Sequence, residues 1–276
     1  MPSTDARLAR VLIIAGSDSG GGAGIQADIK TVTALGGYAA SAITALTAQN
    51  TLGVQAVYNV APEFIAQQIN VVLDDIGADC LKTGMLHSAA AIHAIVAAID
   101  EKATGIPIVV DPVMVAKGGA ALLDSDALGA FIDLMIPRAR IVTPNAPEAV
   151  ALVGGNLTTK DDLIAAAERL LELGAQAALV KGGHLTGDIV YDALADRKGE
   201  REVFSSPRLA TTETHGTGCT LASAIAIGLA EGLSLRDAVA RARAYVHQAI
   251  KQAPGIGSGY GPLNHVFAVP PFAWDD

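Results

Sequence analysis

Short apolar runs rich in strand-forming residues alternate with longer stretches of helical periodicity along most of the chain. The runs that predict strands are residues 10–15, 41–48, 79–82, 106–111, 140–143 and 177–181. The stretches that predict helices between them include residues 62–75, 89–99 and 160–173. Nearly continuous apolar strands that alternate with helices are typical of a parallel sheet covered on both faces. The sequence therefore predicts a three-layer α/β/α fold with a mostly parallel central sheet.

The last part of the chain departs from this alternation. Residues 189–194 and 201–205 flank a turn-prone Asp-Arg-Lys-Gly sequence and predict an antiparallel hairpin added to the sheet. Two helices are then predicted over residues 217–231 and 234–252, with a capping signal at the start of the second. A chain of 276 residues without repeats or linkers is ordinary for one α/β domain, so we expect a single domain over residues 1–276.

Composition excludes several classes of protein. Apolar residues make up 51% of the chain, which rules out a disordered protein. No apolar run approaches the roughly 18 residues of a membrane helix, and no signal peptide is recognisable, so we expect a cytoplasmic protein. A net charge of −9 argues against a nucleic-acid partner. Cys80 and Cys219 form no CxxC pair, so neither a zinc site nor a disulfide is expected.

A glycine-rich loop follows the first predicted strand. Residues 16–24 contain five glycines, and this density lets a ligand approach the main chain closely. Gly22, Gly24 and Ala27 fit a loose dinucleotide pattern, but the acidic residue expected about 20 positions later is missing. A nicotinamide site is therefore disfavoured, and a plain flexible turn stays open as the alternative to a ligand loop.

Two residues at strand ends suggest a pocket for a flat ring. Gln49 follows an apolar strand, and its amide offers a donor and an acceptor that suit a heteroaromatic ring with an amine and a ring nitrogen. Simple capping of the strand end is the alternative. Met85 follows the next predicted strand and could wall an apolar pocket, although an ordinary core methionine explains it as well.

Polar side chains at three further strand ends suit a phosphorylated ligand and its metal. Asp111 ends the fourth predicted strand, and Asn145 and Glu148 follow the fifth. Such oxygen ligands suit a hydrated Mg²⁺, although Asn-x-x-Glu also describes routine helix capping. Lys181 closes the sixth strand beside two glycines, where it can reach a polyphosphate; a solvated lysine is the alternative.

The segment His215-Gly216-Thr217-Gly218-Cys219 opens a long apolar helix. Its two glycines let several N–H groups converge at a helix start, where the helix dipole favours an anion. In phosphoryl transfer this builds an anion hole for the moving phosphate. Cys219 lies in the first helical turn, where a thiol pKa tends to fall, so a thiolate there could accept the proton of an attacking hydroxyl. An inert packed cysteine is the alternative, and it describes Cys80 better.

Taken in order, these segments resemble the ribokinase-like superfamily and, within it, the hydroxymethylpyrimidine kinase / phosphomethylpyrimidine kinase family of thiamine biosynthesis. The segments that carry the resemblance are residues 15–18, 22–28, 44–50, 84–86, 111–114, 143–148, 181–184 and 215–220. The first loop departs from the commoner Asp-Pro-Ser-Gly-Gly form, because this chain has Ser19 and Gly20 after Asp18. The resemblance spans nearly the whole chain.

The resemblance implies a ribokinase-like fold and a homodimeric enzyme that uses ATP and Mg²⁺. The implied reaction is phosphorylation of 4-amino-5-hydroxymethyl-2-methylpyrimidine to its monophosphate and then to its diphosphate. A pyridoxal or pyridoxine kinase stays open as the alternative, and a non-catalytic ligand sensor on the same fold is a third hypothesis.

The resemblance also implies a role for each candidate residue. The substrate-binding residues would be Gly16, Ala23, Asp28, Gln49, Met85 and Val113. The residues that hold ATP would be Asn145, Lys181, Gly216 and Gly218, and those that organise the metal would be Asp111 and Glu148. The catalytic residues would be Lys181, Gly216, Thr217, Gly218 and Cys219, with Cys219 as the base.

Overall fold

The structure, a computed structural model, describes residues 7–115, 119, 122–124 and 126–273. Its strands are β1 (Arg10–Asp18), β2 (Tyr38–Asn50), β3 (Gly53–Asn59), β4 (Cys80–Thr83), β5 (Ile108–Val110), β6 (Ile141–Val142), β7 (Ala177–Lys181), β8 (Ile189–Asp196) and β9 (Arg201–Pro207). Its α-helices are α1 (Gly24–Ala34), α2 (Pro62–Asp75), α3 (Ala89–Lys102), α4 (Ala127–Ala130), α5 (Ala146–Val153), α6 (Lys160–Glu172), α7 (Thr217–Ala230) and α8 (Leu235–Lys251). A π-helical turn, Phe131–Met135, and a 3₁₀ turn, Ile136–Arg138, extend α4.

All these strands form one sheet in the order β3-β2-β1-β4-β5-β6-β7-β8-β9. The six strands from β2 to β7 in this order pair in parallel, whereas β3, β8 and β9 are antiparallel to their neighbours. The strand order reverses at β1, because the chain goes first to β2 on one side and later to β4 on the other. Ligands in such sheets bind at the carboxyl ends of the strands beside this switch point.

Two apolar cores cover the sheet, one on each face. The first contains buried side chains of α2, α3, α5 and α6, and the second contains those of α1, α7 and α8. Helices on both faces of a mostly parallel sheet make the three layers that the strand–helix alternation predicts. The fold-class prediction is therefore confirmed.

The main departure from the predicted elements is β3, which the sequence analysis did not find. This strand lies at the edge of the sheet, and most of its side chains are exposed, so no apolar run marks it. It pairs with β2 across a short turn in which Asn50 faces Gly53. The strand predicted over residues 106–111 is also shorter than expected, because only Ile108–Val110 pair in the ladder.

Local capping agrees with the sequence. The Ser234 hydroxyl accepts the backbone N–H of Asp237 at 3.1 Å and starts α8 as predicted. Asn145 and Glu148 form a reciprocal capping box at the start of α5, with Pro147 in its first turn.

In the described part of the chain, no helix is both long and apolar enough to span a bilayer.

Candidate active site

The predicted site residues at the strand ends lie together at one edge of the sheet. Lys181 at the end of β7 lies 3.1 Å from Asp111 just after β5, measured from Nζ to Oδ1. The Thr143 hydroxyl donates to the same Asp111 oxygen at 3.0 Å. A Cβ built on Gly218 would lie 3.2 Å from the Lys181 nitrogen, which places this ion pair directly beneath the start of α7. The structure thus joins a strand-end cation, a carboxylate and a helix N-terminus.

The charges at this edge influence one another strongly. Burial alone would lower the pKa of Lys181, but the nearby carboxylates of Asp111 and Glu148 raise it overall, so the lysine stays charged. Burial raises the pKa of Glu148 to about 7, although Lys181 opposes the rise. The negative charge of Asp111 adds to that rise. This edge of the sheet can therefore accept a further cation beside the carboxylates of Asp111 and Glu148.

Gly216 joins the start of α7 to the glycine-rich loop. It has φ of +81°, and a Cβ at this position would lie 1.9 Å from the Gly22 carbonyl oxygen. Only glycine combines this left-handed backbone with so close an approach. The predicted anion-hole segment and the predicted ligand loop therefore contact each other main chain to main chain.

Replacing Gly216 with Ala should lower both the melting temperature and the activity. The left-handed backbone costs about 1–2 kcal/mol for a residue with a side chain, and the clash with Gly22 adds to that cost. Gly232→Ala is the matched control, because Gly232 has φ of +85° with nothing within 4 Å of its built Cβ. Thermal unfolding should show a larger loss for Gly216→Ala; equal losses would contradict the close contact.

Asp18 organises the glycine-rich loop from within. Its carboxylate accepts the backbone N–H groups of Gly20 at 2.8 Å, Gly22 at 3.1 Å and Ala23 at 2.8 Å. Nε2 of His215 lies 2.8 Å from Oδ2 of the same carboxylate. Burial would raise the pKa of Asp18, but the hydrogen bonds from His215 and the backbone amides lower it overall. A buried, ionised Asp18 thus holds the loop against the segment that precedes α7.

Two other predicted pocket residues, Gln49 and Met85, adjoin this loop. Gln49 near the end of β2 approaches His215, with 3.3 Å between its side-chain nitrogen and Nε2. Met85 is buried, and its sulfur would lie 3.1 Å from a Cβ built on Gly16. Val113 follows β5 and lines a separate recess with Gly84 and Met114.

The structure places Asp28 differently from the prediction. Its side chain is fully buried, and its two oxygens accept hydrogen bonds from Lys82 Nζ at 2.8 and 2.7 Å. Ser223 on α7 donates to the same carboxylate at 2.7 Å. No part of Asp28 faces solvent, so we correct its assignment from a substrate contact to a buried support of the site.

Lys82 is the partner that the sequence analysis missed. It is fully buried in β4, where a lysine is rare unless it is paired. Its nitrogen would lie 3.2 Å from a Cβ built on Gly84, so the ion pair reaches the loop after β4. A lysine within an otherwise buried apolar strand is the sequence signal that could have identified it.

The predicted fall in the thiol pKa of Cys219 is wrong. Burial raises this pKa to about 12, although the nearby Lys82 ammonium and an N–H of Gly24 lower it somewhat. The sequence suggested the opposite because a first helical turn usually favours a thiolate. Cys219 is therefore a neutral thiol, packed against the glycine-rich loop.

The structure also locates the remaining predicted residues. The Thr217 hydroxyl donates to the Thr214 carbonyl at 2.8 Å and so secures the turn before α7. Asn145 serves the capping box of α5. Its backbone forms a bridge with Lys181, so it also lies at this edge of the sheet. Among the described residues, no three His, Cys, Asp or Glu side chains group together as a metal site. The two predicted magnesium ligands, Asp111 and Glu148, therefore have no third such side chain grouped with them.

Comparison with known proteins identifies the family. The phosphomethylpyrimidine kinase family model matches residues 18–264, which include every predicted site residue except Gly16. The chain belongs to this family. It is therefore a phosphotransferase with a ribokinase-like fold, as the resemblance implied.

Individual members of the family and of its fold agree with this assignment. The chain is 52% identical over 262 residues to the thiamine biosynthesis bifunctional protein ThiED of Geobacter sulfurreducens, covering 94% of this chain and 52% of that protein. It thus spans about half the length of that relative. It is 46% identical over 257 residues to the hydroxymethylpyrimidine/phosphomethylpyrimidine kinase of Bacillus subtilis, covering 93% of this chain and 94% of the relative. An ADP complex of Bacillus subtilis pyridoxal kinase superposes with a TM-score of 0.86 at 36% identity, covering 94% of this chain and 98% of that chain.

Proposed function

We propose that the protein transfers phosphate from MgATP to 4-amino-5-hydroxymethyl-2-methylpyrimidine, and then transfers a second phosphate to the monophosphate. The observation that carries the proposal is the contact between Gly216 and Gly22. It brings the start of α7, with Lys181 and Asp111 beneath it, against a loop that adjoins Gln49. The site for the phosphate donor and the site for the acceptor alcohol would thereby share one wall. Relatives named for this reaction, such as that of Bacillus subtilis, support the choice of substrate.

Lys181 and the start of α7 would act on the phosphate that moves. The ammonium of Lys181 stays charged and lies beneath Gly218, where N–H groups of the first helical turn point outward. Donors that are already in place stabilise the charge that develops during transfer without a cost of reorganisation. Gly216, Thr217 and Gly218 would therefore form the anion hole. Asn145, beside Lys181, would hold the donor phosphates in line.

Asp111 and Glu148 fit a Mg²⁺ ion. Both carboxylates are buried, and the charge of Asp111 helps to raise the pKa of Glu148 to about 7, so a cation between them relieves their repulsion. Mg²⁺ typically binds through one or two carboxylates and completes its shell with water and phosphate. When bound, it would neutralise charge on the ATP phosphates. Asp111 also orients Lys181, because the lysine nitrogen contacts its carboxylate.

The ring of the substrate would lie between Gln49 and the apolar wall formed by Met85, Val113 and Gly16. The amide of Gln49 would read the amine and the adjacent ring nitrogen. Ala23 in the glycine-rich loop would close the pocket beside the hydroxymethyl group. Cys219 follows the anion hole and packs against this loop, so its thiol would lie beside the attacking hydroxyl.

Pyridoxal kinase activity is the second candidate, because the chain superposes well on the Bacillus subtilis pyridoxal kinase. A homodimer stays a prediction from the family resemblance, and a cytoplasmic location stays a prediction from the sequence.

Product analysis with MgATP should separate the two activities. The purified protein is incubated with the pyrimidine alcohol, its monophosphate, pyridoxal and pyridoxine, and the products are resolved by chromatography. We expect the diphosphate of the pyrimidine to accumulate, with kcat/KM for the pyrimidine alcohol at least about 10-fold above that for pyridoxal. Gln49→Leu should lower the pyrimidine value more than the pyridoxal value. A preference for pyridoxal would overturn the main proposal, and binding of the pyrimidine without ATP turnover would favour the sensor hypothesis.

A further inference from the structure

The Gln49 carboxamide has a polar neighbour at each of its two terminal atoms. In the structure, the side-chain oxygen of Gln49 lies 3.1 Å from the Thr47 hydroxyl, and the side-chain nitrogen lies 3.3 Å from Nε2 of His215. The oxygen and nitrogen of a carboxamide have nearly the same shape, so hydrogen-bond partners decide which atom occupies which position. The chemistry of Thr47 and His215 can therefore be used to orient the amide.

On one side, His215 has to be a donor. Its Nε2 lies 2.8 Å from Oδ2 of Asp18, and that carboxylate also accepts three backbone N–H groups. A carboxylate that accepts several N–H groups is ionised and offers only lone pairs. Nε2 of His215 must therefore carry the hydrogen. Its second neighbour, the nearer terminal atom of Gln49, is then best an oxygen.

On the other side, Thr47 has to be an acceptor. Its hydroxyl has one proton, and the Ser17 carbonyl oxygen, which can only accept, is the nearer partner at 2.9 Å. Once that proton is committed, the Thr47 oxygen offers only lone pairs to Gln49. The neighbouring terminal atom is then best the NH₂ group. This conclusion is independent of His215 and leads to the same orientation.

We propose that Asp18, His215 and Thr47 hold the Gln49 amide in the reverse of that orientation, with its oxygen toward His215 and its nitrogen toward Thr47. We further propose that this orientation selects an aminopyrimidine over an oxopyrimidine. The inference deepens the proposed function and rests on it, because it takes Gln49 to read the ring. The remaining lone pair of the oxygen accepts from the ring amine on the His215 side. The second N–H of the amide donates to the ring nitrogen on the Thr47 side.

An oxopyrimidine presents the reversed pattern. Its exocyclic oxygen is an acceptor and would face the acceptor oxygen of the Gln49 amide. Its adjacent ring N–H is a donor and would face the donor NH₂ group of the same amide. Leaving polar groups unpaired in a site is what makes such discrimination strong. Asp18, His215 and Thr47 are positioning residues in this proposal, because they act through Gln49 and contact no substrate atom themselves.

Nuclear Overhauser measurements on the substrate-free protein test the orientation directly. With ¹⁵N-labelled glutamine side chains, the NH₂ protons of Gln49 should give stronger signals to the Thr47 methyl group than to the ring protons of His215. Gln68 is an internal standard, because its amide accepts from the Ile43 N–H at 2.9 Å and donates to the Ile43 carbonyl at 3.1 Å. Stronger signals from Gln49 to His215 would overturn the proposal.

Substrate discrimination tests the consequence. The ratio of kcat/KM for the 4-amino ring over its 4-oxo analogue is measured for the wild type, Thr47→Val and Thr47→Ser. We expect Thr47→Val to lower this ratio about 5-fold, the equivalent of one net hydrogen bond, and Thr47→Ser to keep it. An unchanged ratio in Thr47→Val would overturn the proposal. If neither ring is phosphorylated, the proposed function fails, and the Overhauser pattern still decides the orientation.

Discussion

Replacing Cys219 with Ala should slow the first phosphorylation more than the second, and the loss in the first step should approach the roughly 10²–10⁴-fold usual for a general base only at alkaline pH, where the thiolate forms. The first acceptor is a neutral hydroxyl that has to lose a proton. The second acceptor is the monophosphate, whose oxygen is already anionic and needs no base. Single-turnover measurements of each step separate the two effects. Equal losses in both steps would contradict the role of Cys219 as the base for the first step.

The pH profile gives a second test of the same assignment. A base must be deprotonated to act, and burial raises the pKa of the Cys219 thiol to about 12. The thiolate fraction, and with it the rate of the first step, should therefore rise about tenfold per pH unit across the neutral and mildly alkaline range. Cys219→Ala should abolish that slope. A flat wild-type profile would contradict a thiolate base.

Cys80→Ala is the matched control for loss of a cysteine. Cys80 is fully buried in β4, where burial strongly raises its thiol pKa, so it is expected to be inert. This variant should keep both the slope of the pH profile and the ratio between the two steps. A change in that ratio would mean that Cys219→Ala acts through general packing.

Replacing Lys82 with Met should lower the free energy of unfolding by about 3–5 kcal/mol, because it leaves the carboxylate of Asp28 buried without its counter-charge. The ion pair between them is fully buried at 2.7 Å. Asp28→Asn added to Lys82→Met should recover part of the loss, since it removes the unpaired charge and keeps the shape. Urea unfolding monitored by circular dichroism measures all three proteins.

Lys102→Met is the control for this prediction. Lys102 forms an ion pair with Asp74, but both side chains are partly exposed to solvent. Exposed pairs contribute little, because water replaces the lost partner. The loss for Lys102→Met should therefore be much smaller than that for Lys82→Met. Similar losses would mean that Asp28 finds another partner or takes up a proton without cost.

The strand-end residues of the site could be predicted because the rule behind them is simple. Parallel strands bring their carboxyl ends to one edge, so Asp111, Asn145 and Lys181 had to lie near one another once the sheet was recognised. The same reasoning could not find β3, because an exposed edge strand carries no apolar pattern. The same reasoning could not predict that Asp28 is buried. Its position within an apparent ligand motif suggested a substrate contact, whereas the packing of α1 removes it from solvent.

The segment from His215 to Cys219 shows where the two kinds of information divide. By itself, the sequence determined that this segment starts an apolar helix with glycines suited to an anion, because those properties depend only on near neighbours. Only the tertiary structure decided that His215 meets Asp18, which lies 197 positions earlier in the chain. It also decided that burial raises the pKa of Cys219 where the helix start alone would lower it. Burial and contacts between distant segments depend on how the layers pack, and no local pattern encodes them.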